Sequence, residues 1–158
     1  MTQGKSCQES EILKIGVPKE PENENRVAIV PSSMKKLAKA GFEVLIEKGA
    51  GVLANYNDSD YEAAGAILAD REAVMSCPNI IAINFPGVEG ISEGTNLVCV
   101  ADPFRNPENV KQCMKGNITL MSMDMIPRRL SRAQSMDVNS SQDNLSGYKA
   151  VLLGAANV

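Results

Sequence analysis

Arg128, Arg129, Arg132, Gln134, Asp137 and Ser140 fall in one short run, PRRLSRAQSMDVNSSQDN, with few apolar side chains. Their chemistry is recognition rather than bond breaking. Guanidinium groups only donate hydrogen bonds, a carboxylate only accepts, and amides and hydroxyls do both. Such a set suits a planar amide, which offers one acceptor oxygen and two N–H donors. It suits equally a polar connecting loop closed by a helix cap at Asp137 or Ser140. A second charged group, Pro18, Lys19, Glu20 and Arg26, lies in GVPKEPENENRVAIVP. There a substrate carboxylate would meet a cation, or the charges pair among themselves on a solvated loop. The sequence has no histidine. Serine–histidine and cysteine–histidine nucleophiles are therefore excluded, and acid–base work falls to carboxylates or lysine.

Positioning these residues is the task of the surrounding elements. Strands are expected at ILKIGVP (bounded by Gly16 and Pro18), FEVLIEKGAG, NIIAINFP, NLVCVADP and ITLMSMDMI, the last read as buried. Helices are expected at PSSMKKLAKAG, at DSDYEAAGA capped by Asp58 or Ser59, at DREAVMSC and at NPENVKQCMKGN. A final helix from about Ser141 carries Leu145, Tyr148, Ala150, Val151 and Leu152 at helical spacing. Strands alternating with short helices point to an α/β fold with a doubly wound, mostly parallel sheet. In such sheets ligands gather at the carboxyl ends of strands, and the arginine-rich run begins at one of those ends.

Composition narrows the classes. A chain of 158 residues with 44% hydrophobic and 22% charged residues has the size and apolar content of one domain or one lobe. A net charge of −3 and the absence of a basic stripe give no electrostatic footprint for nucleic acid. Cys7, Cys77, Cys99 and Cys113 form no CxxC pair, so their spacing does not point to a metal site, and a reducing compartment is the simplest assumption. The N-terminal residues 1–11 read as a flexible polar tail without a signal-peptide core. No apolar run approaches the roughly 20 residues of a membrane span. Gly49 and Gly51 in EKGAGV lack the third glycine of a dinucleotide fingerprint and read as turn residues, and no P-loop is present.

IGVPKE…NRVA.VP….L.KAGFEVLIEKGAG, Y..AGA and the closing PRRLSRAQSMDVNSSQDNLSGYKAVLLGAANV together resemble the N-terminal part of the family shared by alanine dehydrogenase and the proton-pumping NAD(P) transhydrogenase. The SRAQSMD..SSQ.N..GYKAV run is closest to the transhydrogenase alpha subunit. The resemblance implies a lobe over residues 12–140 and, over 141–158, the start of a helix leading to a second NAD-binding lobe. It implies hydride transfer between NAD(H), held by the two lobes, and NADP(H) on a partner component, coupled by a membrane domain to proton movement. A homodimer of the NAD(H)-binding component is implied as well. So is a place at the surface of an energy-transducing membrane, either bacterial plasma membrane or an organellar inner membrane. The family's nicotinamide loop uses an arginine, a glutamine, an aspartate and a nearby serine. These match Arg128 or Arg129, then Gln134, Asp137 and Ser140. Arginine and serine would hold the carboxamide, Asp137 would accept its N–H, and Gln134 would reach toward the partner nucleotide.

Several departures qualify the match. PRRLSRAQ is one residue longer than the family's PRISRAQ, which leaves Arg128 and Arg129 as alternatives. Val30 replaces the usual threonine or serine of RVA.TP. Asn84 and Asp102 stand where alanine dehydrogenases carry a lysine and a histidine, so amino-acid dehydrogenase chemistry is not expected. The lobe with the glycine-rich fingerprint would follow GYKAVLLGAANV. The chain therefore reads as a first lobe, inactive alone, whether a piece of a transhydrogenase or a stand-alone interaction domain.

Overall fold

A computed structural model describes residues 13–127 and 129–157. The expected flexible tail lies outside the described residues. Six strands, β1 (Leu13–Val17), β2 (Phe42–Glu47), β3 (Ile67–Ala69), β4 (Asn79–Asn84), β5 (Asn96–Val100) and β6 (Thr119–Ser122), form one sheet in the order β3-β2-β1-β4-β5-β6. Every pairing is parallel. The helices are α1 (Met34–Lys39), α2 (Asp58–Ala63), α3 (Arg71–Met75), α4 (Pro107–Lys115) and α5 (Val138–Ala156). The doubly wound parallel sheet expected from the sequence is the observed one.

Each face of the sheet buries its own cluster. Ile15, Val17, Val44 and Ile46 pack with Met34 and Tyr61, and Ile81 leans on the same group. Its chain neighbours Ile80 and Ala82 belong instead to the opposite cluster, with Leu97, Cys99, Cys113 and Met75. Alternation along β4 thus feeds two cores, as a strand covered on both faces requires. Cys77, Cys99 and Cys113 are buried free thiols, and burial pushes Cys99 up to about 12.

Three local expectations are corrected. Gly16 does not bound β1 but lies inside it: a Cβ there would collide with the Val74 carbonyl oxygen of α3. Only glycine allows α3 to pack that closely on the strand. The cap of α2 is Asn57, whose N–H donates to the Asp60 carboxylate at 2.7 Å. Asp58 instead accepts from the Gly49 N–H at 2.9 Å and fastens the turn after β2. Gly49 and Gly51 are both turn residues, as expected; Gly49 has φ +74°, and Gly51 is in addition required by the close approach of Tyr61. The segment ITLMSMDMI is not a buried strand. It pairs only on its β5 side, half exposed at the sheet edge, and turns into a 3-10 turn at Met123–Met125.

The three-residue β3 was not anticipated, and among the described residues no helix joins β4 to β5. Nor is any described helix long and apolar enough to cross a membrane.

Candidate functional site

From β1 the chain winds outward through β2 to β3, then returns past β1 to wind outward through β5 to β6. Strand order therefore reverses between β1 and β4, and a crevice opens beyond their carboxyl ends. It is a cavity of about 640 Å³. Val27, Ala28, Val30, Ile81, Val98 and Val100 make its apolar wall, and Asn25, Arg26, Asn84, Asn139 and Gln142 supply the polar groups. Apolar walls with a few convergent amides are the usual make-up of a small-molecule site.

Buried Glu20 holds the end of β4 whose residues line the cavity. The ladder between β4 and β5 shifts register between Ile81 and Asn84, which takes backbone donors out of the sheet. Glu20 accepts the Ile83 N–H at 2.6 Å, the Asn84 N–H at 3.1 Å and the Asn84 side-chain amide at 3.0 Å. A bulge with its donors satisfied in this way is a stable feature rather than a defect.

Glu24 and Arg26 stand at the rim. Arg26 donates from Nε at 2.8 Å and from Nη2 at 2.6 Å to Glu24, and from Nη1 at 2.9 Å to Gln142 of α5. The Arg26 hydrogen bonds hold the Glu24 carboxyl down at about 2. Because the folded-state value lies below the unfolded one, the pair's stabilisation is present above pH ~4.5 and is lost as pH falls toward 2. Glu24→Gln is expected to cost about 1 kcal/mol at neutral pH, since Arg26 is half exposed. Urea unfolding of the variant would also fall less steeply than that of the parent between pH 4.5 and 2; identical acid limbs would refute the assignment.

The residues singled out in the sequence are only partly brought together. Arg128 lies outside the described residues. Arg129 is exposed, as is Gln134 in the 3-10 turn Ala133–Met136, whose side chain makes no hydrogen bond among the described residues. Asp137 and Ser140 do meet: Asp137 caps α5, accepting from the Asn139 N–H at 3.1 Å, the Ser140 N–H at 3.0 Å and the Ser140 hydroxyl. Of the helix-cap alternatives, Asp137 is the observed cap. Helix α5 begins ahead of Ser141, and its first turns place Val138, Asn139 and Gln142 against the cavity.

The earlier charged group separates. Lys19 lines a different hollow of about 250 Å³ with Arg71 and Glu47, while Arg26 alone of the two cations reaches the cavity. There the Lys19 N–H and Arg71 both donate to Glu47, at 2.8 and 3.1 Å. Within the loop itself, Glu24 and Arg26 pair with each other, while Glu20 is taken up by the donors of β4. Asn25, Asn139 and Gln142 were not anticipated as lining residues, and only the strand-end position of Asn84 carried a signal. Asp102, beyond β5, has φ +45° and a loose 3.9 Å pair with Arg105, and it does not line the cavity.

Comparison with known proteins places this geometry among relatives. Residues 16–146 match the family model described as alanine dehydrogenase/PNT, N-terminal domain. The chain is 42% identical over 154 residues to an NAD(P) transhydrogenase subunit alpha polypeptide of Rhodospirillum rubrum, covering 90% of this chain and 40% of that protein. It is 33% identical over 149 residues to alanine dehydrogenase of Methanococcus maripaludis, covering 90% and 39% respectively. The crystal structure of transhydrogenase from Sinorhizobium meliloti superposes with a TM-score of 0.85 at 36% identity, covering 90% of this chain and 44% of that one. The chain thus spans less than half the length of these relatives.

Proposed function

This chain belongs to the alanine dehydrogenase/PNT N-terminal domain family, and from that premise we propose that it works as the first lobe of the NAD(H)-binding part of an NAD(P) transhydrogenase alpha subunit. The observation that carries the reading is the position of the segment Gln134–Ser140. It runs into α5 where that helix meets the cavity at the strand-order reversal. Val138 and Asn139 of the segment line the cavity, and a nicotinamide seated there would meet these two, with Asp137 and Ser140 beside them in the chain.

In this reading Arg129 or Arg128 holds the carboxamide oxygen, joined by Ser140 once its hydroxyl turns from Asp137, to which it donates here. Asp137 accepts the amide N–H. Gln134, exposed and without a side-chain partner among the described residues, extends toward the second nucleotide. Bound nicotinamide nucleotides would supply the redox chemistry, a hydride leaving the reduced ring (NADH or NADPH) for the oxidised one (NADP+ or NAD+). The lobe's own contribution is orientation and exclusion of water. The implied partners are a second NAD-binding lobe, the NADP(H)-binding component and a membrane domain coupling transfer to proton movement. The NAD(H)-binding part would be a homodimer at the surface of an energy-transducing membrane. The outward face of α5 supports a further contact, since Leu145, Tyr148, Val151 and Leu152 are all exposed. Asn84 and Asp102 at the ends of β4 and β5 weigh against alanine dehydrogenase chemistry, which would need a lysine and a histidine there.

The reading has a direct test. Calorimetric titration of this chain alone with NADH is expected to give no saturable heat in the micromolar range, because the dinucleotide fingerprint is absent. The same titration of a protein that joins this lobe to a second, fingerprint-bearing lobe is expected to saturate. A micromolar Kd for the chain alone would overturn the division of labour.

A further inference from the structure

Helix α5 is long, from Val138 to Ala156, yet none of its described side chains is buried. Apolar packing therefore holds it weakly, and polar contacts from the body of the lobe carry more of its placement. One such contact is the hydrogen bond from Arg26 Nη1 to Gln142 Oε1, which joins residues 116 positions apart.

The bond is the last link of a connected series. Glu20 holds Asn84 at the end of β4. The Asn84 amide also reaches Glu24 at 3.4 Å. Glu24 takes two donors of the Arg26 fork, and the third donor crosses to α5. A planar guanidinium fixed on two nitrogens by a carboxylate has little freedom left in the third, so its direction is set before Gln142 meets it. Gln142 lies one turn beyond Val138, on the cavity-lining side of the helix.

We propose that the Glu24–Arg26 pair is a positioning device for α5, fixing its first turns through Gln142 and so holding the Gln134–Ser140 segment at the cavity mouth. The consequence for hydride transfer rests on the transhydrogenase reading. The mechanical claim does not. Arg26 and Gln142 act through the segment and are positioning residues, not catalytic ones.

Hydrogen exchange on this chain tests the mechanical claim. Gln142→Leu keeps similar helix propensity but removes the acceptor. It is expected to raise exchange of amides 133–144 about tenfold and to leave β1, β4 and β5 unchanged. Arg26→Lys keeps the charge but loses the fork, and it should do the same. Gln142→Glu restores an acceptor for Arg26 and should return exchange to the parent rate. Unchanged exchange in Gln142→Leu, or an equal rise in the central strands, would overturn the proposal, as would failure of Gln142→Glu to rescue. In a protein carrying both nucleotide-binding components, Gln142→Leu should slow hydride transfer about tenfold, with recovery in Gln142→Glu. Faster exchange with unaltered transfer would overturn the positioning role. Absence of any transfer in the parent protein would refute the transhydrogenase reading instead, and exchange alone would then decide the tether.

Discussion

Gln134→Asn, made in a protein that carries this lobe with both nucleotide-binding components, is expected to lower the rate of hydride transfer about 100-fold and to leave NADH affinity nearly unchanged. The substitution removes one methylene and keeps the amide, so it tests reach. A misplacement near 1 Å can cost about 100-fold in a step governed by positioning. The surroundings of Gln134 make the test clean: the side chain is exposed and makes no hydrogen bond among the described residues. Its loss should move the lobe's stability by no more than about 0.5 kcal/mol. Asp137→Asn offers the contrast. Asparagine caps a helix about as well as aspartate, so α5 should keep its start while the charge is lost. Weaker NADH binding is expected from that variant, through the carboxamide contact. Stopped-flow transfer and NADH titration on both variants separate the two roles. Transfer at the parent rate in Gln134→Asn would reduce the segment to a polar loop and a helix cap.

Gly16→Ala is expected to cost about 3 kcal/mol of unfolding free energy or more, since an added Cβ there meets a closer neighbour than at any other described glycine. The added Cβ would run into the Val74 carbonyl oxygen and stand 3.1 Å from the Cys77 Cβ. Neither neighbour is the free end of a flexible side chain. Relief requires α3 to move off β1, a strand paired on both sides by β2 and β4. Overpacking of this kind costs roughly 1–3 kcal/mol where side chains can give, and backbone gives less readily. Against a total stability of about 5–15 kcal/mol the loss is severe. Gly49→Ala is the control, with φ +74° but open space around it. Its cost should be about 1 kcal/mol, from backbone strain alone. Urea denaturation of the two variants gives the comparison, and equal midpoints for Gly16→Ala and the parent would refute the steric account.

How much of this was legible in the sequence follows from the range over which each feature is determined. Local pattern was enough for β1, β2, β4 and β5 and for the helices at their glycine and proline boundaries. Runs such as NIIAIN and NLVCV bury alternate residues on two faces and read as parallel strands without knowledge of their partners. The α/β class and the lack of a dinucleotide fingerprint were legible in the same way. So was the cap role of Asp137, offered there beside Ser140, because a cap is settled within three residues of chain.

Tertiary structure decided the rest. Three residues of β3 carry too little pattern to stand out, and they form a strand only because β2 offers an edge. The apolar run of β6 looked buried, but its place at the sheet margin leaves it half exposed. Gly16 read as a boundary, because nothing near it in sequence announces the Val74 carbonyl that makes it necessary. Glu20 and Arg26 read as members of one charged group, which would either meet a substrate carboxylate or pair among itself on a solvated loop. The fold separates them into a buried anchor for the bulge of β4 and a rim pair that reaches α5. Cavity and tether alike depend on contacts between residues far apart in the chain, and the strand order creates those contacts. A pattern of neighbours in sequence holds no record of them.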